Sequence, residues 1–267
     1  MSQNEITEIR IYSIEDFVKS LHQYTSTIKS PIWFRGCTNI DYYLIPSLYR
    51  KINKLNSFQI NDKERQVFSF FRERSIPYHN YSLTNSWHTY FLMQHNGIPT
   101  RLLDWTENAF VGLYFALMNP RNYIEEVEND AVVWVLMPEK WNQHALKDLS
   151  YKGGILRTDD QLLNAYTPDT EMGFQGEFPV ALYTDRTNSR IVAQQGVFVV
   201  FGKEKKPMEV IYHENNFPDF SLAKIIIPRT EVVQMLDDLL MMGITESVIF
   251  PDLSGFSAEV IRRFKLR

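Results

Sequence analysis

A single cysteine, Cys37, in 267 residues excludes an internal disulfide and a cysteine-rich zinc site. Basic residues are not in excess either. Lys and Arg number 28 against 32 Asp and Glu, a net charge of −4. That balance argues against a generally basic nucleic-acid binder, while leaving room for a local basic groove. No apolar run is long enough to span a membrane. The N-terminus, Met1-Ser2-Gln3-Asn4-Glu5-Ile6, shows no basic segment followed by an apolar one, so the expectation is a cytoplasmic protein without membrane partners. Several catalytic signatures are missing: a Gly-x-Ser-x-Gly elbow, a P-loop, a Gly-x-Gly-x-x-Gly turn, and histidine or cysteine spacing suited to a metal. Repeats and low-complexity segments are absent as well.

What is present is a large apolar fraction, 44%, with 14% aromatic residues, enough for a full core. Residues 8–12 alternate like a strand. Ser13 with Asp16 three residues on predicts a helix through about His22. Residues 31–36 read as a strand, and 61–74 as an amphipathic helix with Val67, Phe70, Phe71 and Arg74 at helical spacing. Strands are predicted at 130–137, 179–183, 196–201, 223–227 and 247–250. Helices are predicted from Thr230 to Gly243 and from Pro251 to about Phe264. The fold class is α+β in a single domain, with helices mainly in the first half packed on a mixed or antiparallel sheet mainly from the second. Residues 1–29 form an N-terminal strand and helix, and 30–267 the main unit.

The densest polar cluster is Gln94-His95-Asn96-Gly97-Ile98-Pro99-Thr100-Arg101-Leu102-Leu103-Asp104-Trp105-Thr106. It lies between two segments apolar around nearly their full helical circumference, 87–93 and 109–118, so it reads as a polar loop held rigidly between buried helices. Gly97 suits a left-handed helix end. Asp104 with Glu107 resembles a capping box, which competes with a functional role for Asp104. Arg101 either pairs with Asp104 or holds an anion through its planar fork. His95, on the last turn of its helix, is either a capping cation or a catalytic imidazole. Cys37 reads as a buried, inert thiol before a nucleophile.

Four segments together resemble the FRG-domain family, named for its Phe-Arg-Gly signature: Trp33-Phe34-Arg35-Gly36, the long cluster at 94–106, Arg190 to Phe198, and Ile249-Phe250-Pro251-Asp252-Leu253 with Gly255. The resemblance spans about residues 30–256. It implies a bacterial or phage setting, often among defence and toxin genes. A second resemblance is to ADP-ribosyltransferases, where an arginine before a glycine on an early strand grips NAD and a later glutamate orients the ribose. Phe34-Arg35-Gly36 looks like the first element. Where the glutamate is expected this chain has Gln194 and Gln195, with Glu177 the nearest upstream carboxylate. The implied activity is an NAD-dependent transferase, with NAD as cofactor, no metal, and a protein or nucleic-acid acceptor. Arg35, Gln195 and His95 are the implied catalytic residues. Arg35, Gly36, Gln94, Thr100, Arg101, Asp104 and Gln194 are the implied cofactor-binding set, in one polar cleft. The other reading is a non-catalytic nucleotide or nucleic-acid binding module. In it Arg35, Arg50, Arg101, Arg186 and Arg190 converge on phosphates, with Tyr42, Tyr43, Trp105 or Tyr183 as stacking faces.

Overall fold

The computed structural model describes residues 5–27, 30–51, 55–79, 85–118, 127–170, 174–185 and 189–266. Its strands are β1 (Thr7–Arg10), β2 (Trp33–Cys37), β3 (Leu102–Thr106), β4 (Ala131–Leu136), β5 (Val180–Leu182), β6 (Gly196–Val200) and β7 (Leu222–Ile227). Its helices are α1 (Ile14–Thr27), α2 (Ser47–Lys51), α3 (Ser57–Arg74), α4 (Ser86–His95), α5 (Ala109–Leu117), α6 (Pro138–Ala145), α7 (Ser189–Ala193), α8 (Met208–Glu214), α9 (Val232–Met241), α10 (Glu246–Ile249) and α11 (Leu253–Arg263). The strands form one seven-stranded sheet in the order β1-β7-β4-β2-β3-β6-β5. Only β1 and β7 run parallel; the other neighbours are antiparallel. The fold is thus α+β with a mixed sheet in a single domain, and β1 joins the same sheet as the rest.

Buried apolar residues alternate between the two faces of this sheet, as strands covered on both sides require. On one face, Phe34, Val133, Val135, Ala223 and Ile225 meet α1, α5 and α9. Along that same face, over β3, β6 and β5, Leu102, Phe198, Val200 and Val180 meet α3 and α4. The opposite face carries Trp33, Trp105, Trp134, Leu136 and Val199 under α2, α6 and α8. The first face therefore has two separate helical covers, α5 on one side and α4 on the other, and they part over the middle of the sheet.

At that place the sheet itself is weakest. β2 and β3 pair at a single position, Phe34 with Thr106, whereas β2 pairs with β4 over five. α5 comes close to β2 just there. A Cβ on Gly36 would stand 2.1 Å from the Gly112 carbonyl oxygen and 2.3 Å from the Ala116 nitrogen. Both are backbone atoms that cannot swing aside. Gly36→Ala should therefore cost about 1–3 kcal/mol through overpacking. The melting temperature should fall by about 2–4 °C for each kcal/mol. An unchanged melting temperature would show that helix and strand separate freely.

Four expectations from the sequence are corrected. The 94–106 segment is not all loop, because 102–106 is the central strand β3. Asp104 does not cap α5; Asn108 does, accepting from the Phe110 and Val111 amides. Residues 247–250 are not a strand: Glu246–Ile249 is a helical turn, tied to α11 by Arg262, which grips buried Glu246 at 2.6 and 2.9 Å. α3 turns Ile60, Asn61, Glu64 and Phe68 inward, leaving Phe70 66% exposed.

Candidate functional site

Asp104 is the residue that marks the site. Its strand neighbours Leu103 and Trp105 are buried on the opposite face, yet its own side chain is 59% exposed. By register it faces the same side as Phe34 and Phe198, in the gap between the α5 and α4 covers. A cleft of about 310 Å³ opens there, lined by Arg35, Gly36, Gln94, Asp104, Arg190 and Gln194, with Phe34, Trp105, Thr106 and Phe115 as its walls. A smaller space of about 70 Å³ adjoins it, sharing Gln94, Asp104, Arg190 and Gln194 and adding His95.

A hydrogen-bond chain holds the carboxylate. The Leu102 amide donates to Thr100 Oγ1 at 3.0 Å, and that hydroxyl donates to Gln94 Oε1 at 2.6 Å. With its carbonyl so engaged, the Gln94 amide turns its NH2 outward and donates to Asp104 Oδ2 at 2.9 Å. The Gln94 amide thus supplies a donor to an oxygen that accepts. Arg35 fills the split in the sheet. Its Nη1 donates to the Asp104 carbonyl oxygen, which has no β2 backbone partner, and lies 3.9 Å from the carboxylate. Arg35 Nε is buried with no hydrogen-bond partner. A buried, unsatisfied charged donor beside a cleft is costly, and an anionic ligand would relieve it.

Two more cations stand close. Burial and then the charge of Arg35 hold the Arg50 guanidinium below its ordinary range, with Asp104 acting the other way. The Arg190 guanidinium lies 4.6 Å over the Phe250 ring and lines the cleft. Burial, followed by the Arg190 charge, lowers the His95 pKa. Opposite Arg35, Thr106 Oγ1 donates to the Gln194 carbonyl at 2.6 Å, which fastens α7 to β3.

The structure brings Arg35, Gly36, Gln94, Asp104 and Gln194 together, with His95 at the edge and Thr100 buried behind Gln94. It does not bring Arg101 or Gln195 there. Arg101 is 1% exposed and makes a bidentate pair with buried Glu64. Gln195 takes a positive φ of 45° and uses its carbonyl to accept the Glu107 amide, so it is Gln194 that lines the cleft. Gly36 lacks a side chain to admit α5 rather than a ligand. Glu177 sits on the turn before β5 and is not a lining residue. Arg186 lies outside the described residues. Cys37 is buried, and that burial raises its pKa, which suits an inert thiol.

The expected stacking tyrosines are elsewhere. Tyr42 and Tyr43 line a larger groove of about 910 Å³ with Trp134, Glu8, Asp41 and Glu209. Those carboxylates make it a poor seat for phosphate. Trp105, 3% exposed, is mostly core but walls the cleft, and Tyr183 packs edge-on against Trp33. Sequence reasoning missed Glu64, which is 37 residues from Arg101, and gave Thr106 and Phe115 no role in the site. Among the described residues no group of His, Cys, Asp or Glu is arranged to hold a metal, and no helix is long and apolar enough to cross a membrane.

This is a mixed-sheet α+β protein with an arginine-flanked carboxylate in a mid-sheet cleft. Residues 30–124 match the family model described as the FRG domain. The matched stretch runs from β2 through α5 and holds Arg35, Gln94 and Asp104, while Arg190 and Gln194 reach the cleft from outside it. No curated protein and no solved structure matches the chain.

Proposed function

We propose that the cleft binds the phosphate and ribose of NAD and that the chain is an NAD-dependent ADP-ribosyl transferase or glycohydrolase. The observation that carries this reading is the exposed Asp104 carboxylate, fixed by Gln94 and flanked by Arg35. In such a reaction the bond between ribose C1′ and the nicotinamide nitrogen breaks. Its electron pair leaves with nicotinamide, and positive charge develops on the ribose. A fixed carboxylate stabilises that charge or accepts from a ribose hydroxyl. Asp104 thus fills the role that the resemblance assigned to a glutamate near residues 194–195. Arg35 and Arg190 suit the pyrophosphate, since a planar guanidinium donates to two phosphate oxygens at once. His95 at the edge suits a base that takes the proton of the attacking hydroxyl or water.

The test is incubation of purified protein with adenylate-labelled NAD, alone and with a cell lysate. Released nicotinamide, or label on a macromolecule, is the expected result. Arg35→Lys keeps the charge and loses the fork. It should weaken binding of ADP-ribose by about 10- to 100-fold, the worth of one hydrogen bond to a charged group. Absence of both nicotinamide and label, with ADP-ribose still bound in an Arg35-dependent way, would replace this reading with the non-catalytic binding module.

A further inference from the structure

His95 lines more than the small space beside the cleft. That residue also lines a second groove, about 580 Å³, between the C-terminal half of α3 and α4. Its walls are Phe70, Phe71, Tyr78 and Ile98, with Arg74 and His79. Two features set it apart. Tyr78 is 87% exposed and Phe70 66% exposed, so two aromatic rings of the one groove meet solvent. No lining residue is Asp or Glu, in a chain where acidic residues outnumber basic ones. Arg74, the arginine among its lining residues, lies 5.9 Å over the Phe70 ring.

Two exposed rings, an arginine over one of them, and no lining carboxylate match a ligand with flat faces and a negative backbone. We propose that this groove seats a single-stranded nucleic-acid segment, its bases stacked on Tyr78 and Phe70 and its phosphates beside Arg74. Its role as acceptor for the cleft rests on the NAD reading, with His95 lining both the groove and the space beside the cleft; its binding does not. An apolar peptide needs neither Arg74 nor the absence of carboxylates. The larger groove at Tyr42 and Tyr43 provides an internal control, because it has similar rings among Glu8, Asp41 and Glu209.

Fluorescence anisotropy of a labelled oligothymidine of about 12 nucleotides, against the full chain, tests this. Salt is varied between about 50 and 200 mM. The single strand should bind more tightly than a matched duplex. Tyr78→Leu and Phe70→Ala should each weaken binding by about 5- to 150-fold, as loss of one stacked base does. Arg74→Ala should reduce the slope of log affinity against log salt by about 0.7. Tyr43→Ala should change nothing. All four side chains are exposed or at the rim, and unchanged melting temperatures confirm the fold. Failure of the single strand to bind overturns the proposal. So does binding indifferent to Tyr78 and Phe70, or competition by an apolar peptide but not by a second oligonucleotide. Binding by a protein that releases no nicotinamide keeps this inference and removes the reaction. Nicotinamide release without oligonucleotide binding does the reverse.

Discussion

If the chain turns over NAD as proposed, Asp104→Asn should reduce that turnover by about 100- to 1,000-fold, the loss typical when one electrostatic contact to a charged transition state is removed. The fold should hardly notice. The side chain is 59% exposed, and its partnership with Arg35 at 3.9 Å is a half-open surface pair, worth at most about 1 kcal/mol. Asn is isosteric and its amide oxygen can still accept from Gln94 Nε2, so the group stays in place and only its charge is lost. Gln94→Glu provides the complementary change. It sets a second carboxylate 2.9 Å from the first and removes the donor that holds it. Turnover should fall there too, again with little loss of stability. Nicotinamide release measured beside a thermal melt separates the possibilities. If Asp104→Asn turns over NAD as fast as the native chain, Asp104 is not the carboxylate of the reaction. If it melts many degrees lower, the residue is structural and the cleft loses its centre.

The elements found correctly from the sequence are those whose reason is local. Ser13 accepts from the Asp16 amide, and Asp16 from the Tyr12 amide, so the cap of α1 stands where the spacing put it. β4 is apolar on both faces because both are covered, and a continuous apolar run says so. The errors share a different cause. Leu102 to Thr106 was read with its polar neighbours as loop, although Leu102 and Leu103 are buried on opposite faces, because Asp104 interrupts the pattern. That interruption is the site: a carboxylate can sit in a central strand only where the covering helices part. Ser247 to Phe250 looks like a strand, and becomes a turn of helix because Arg262, well along the chain, needs Glu246 inside. Arg35, Gln94 and Asp104 were legible as a group. Which of Arg101 and Arg190 would join them was not, since the partner that removes Arg101 lies on another helix.

That partner makes the second large prediction. Glu64→Ala should destabilise the protein by about 3–5 kcal/mol, because it strands a guanidinium in the core. Arg101 and Glu64 side chains are 1% and 2% exposed. Arg101 Nε reaches both carboxylate oxygens, at 3.0 and 2.9 Å, and the Tyr90 hydroxyl donates to the same group. Burial opposes the Arg101 charge, and Glu64 more than restores it, so its pKa rises. Nearby Lys205 shows the reverse: burial, then the charge of Arg101, push it down to about 8. Removing Glu64 leaves Arg101 and Lys205 facing each other unscreened. Expressed as melting, the loss should be on the order of 10 °C. The double change Glu64→Leu with Arg101→Met removes both charges and should recover most of it, since apolar replacement of a whole buried pair is often close to neutral. Chemical denaturation of the two singles and the double gives the coupling directly. A Glu64→Ala protein within about 1 kcal/mol of the native one would mean that Arg101 finds water or another acceptor, contrary to its burial. The recovered double variant also tests the site. The pair anchors the start of β3, three residues before Asp104, from α3. If its task is only to place that strand, restoring stability with Leu and Met restores NAD turnover as well.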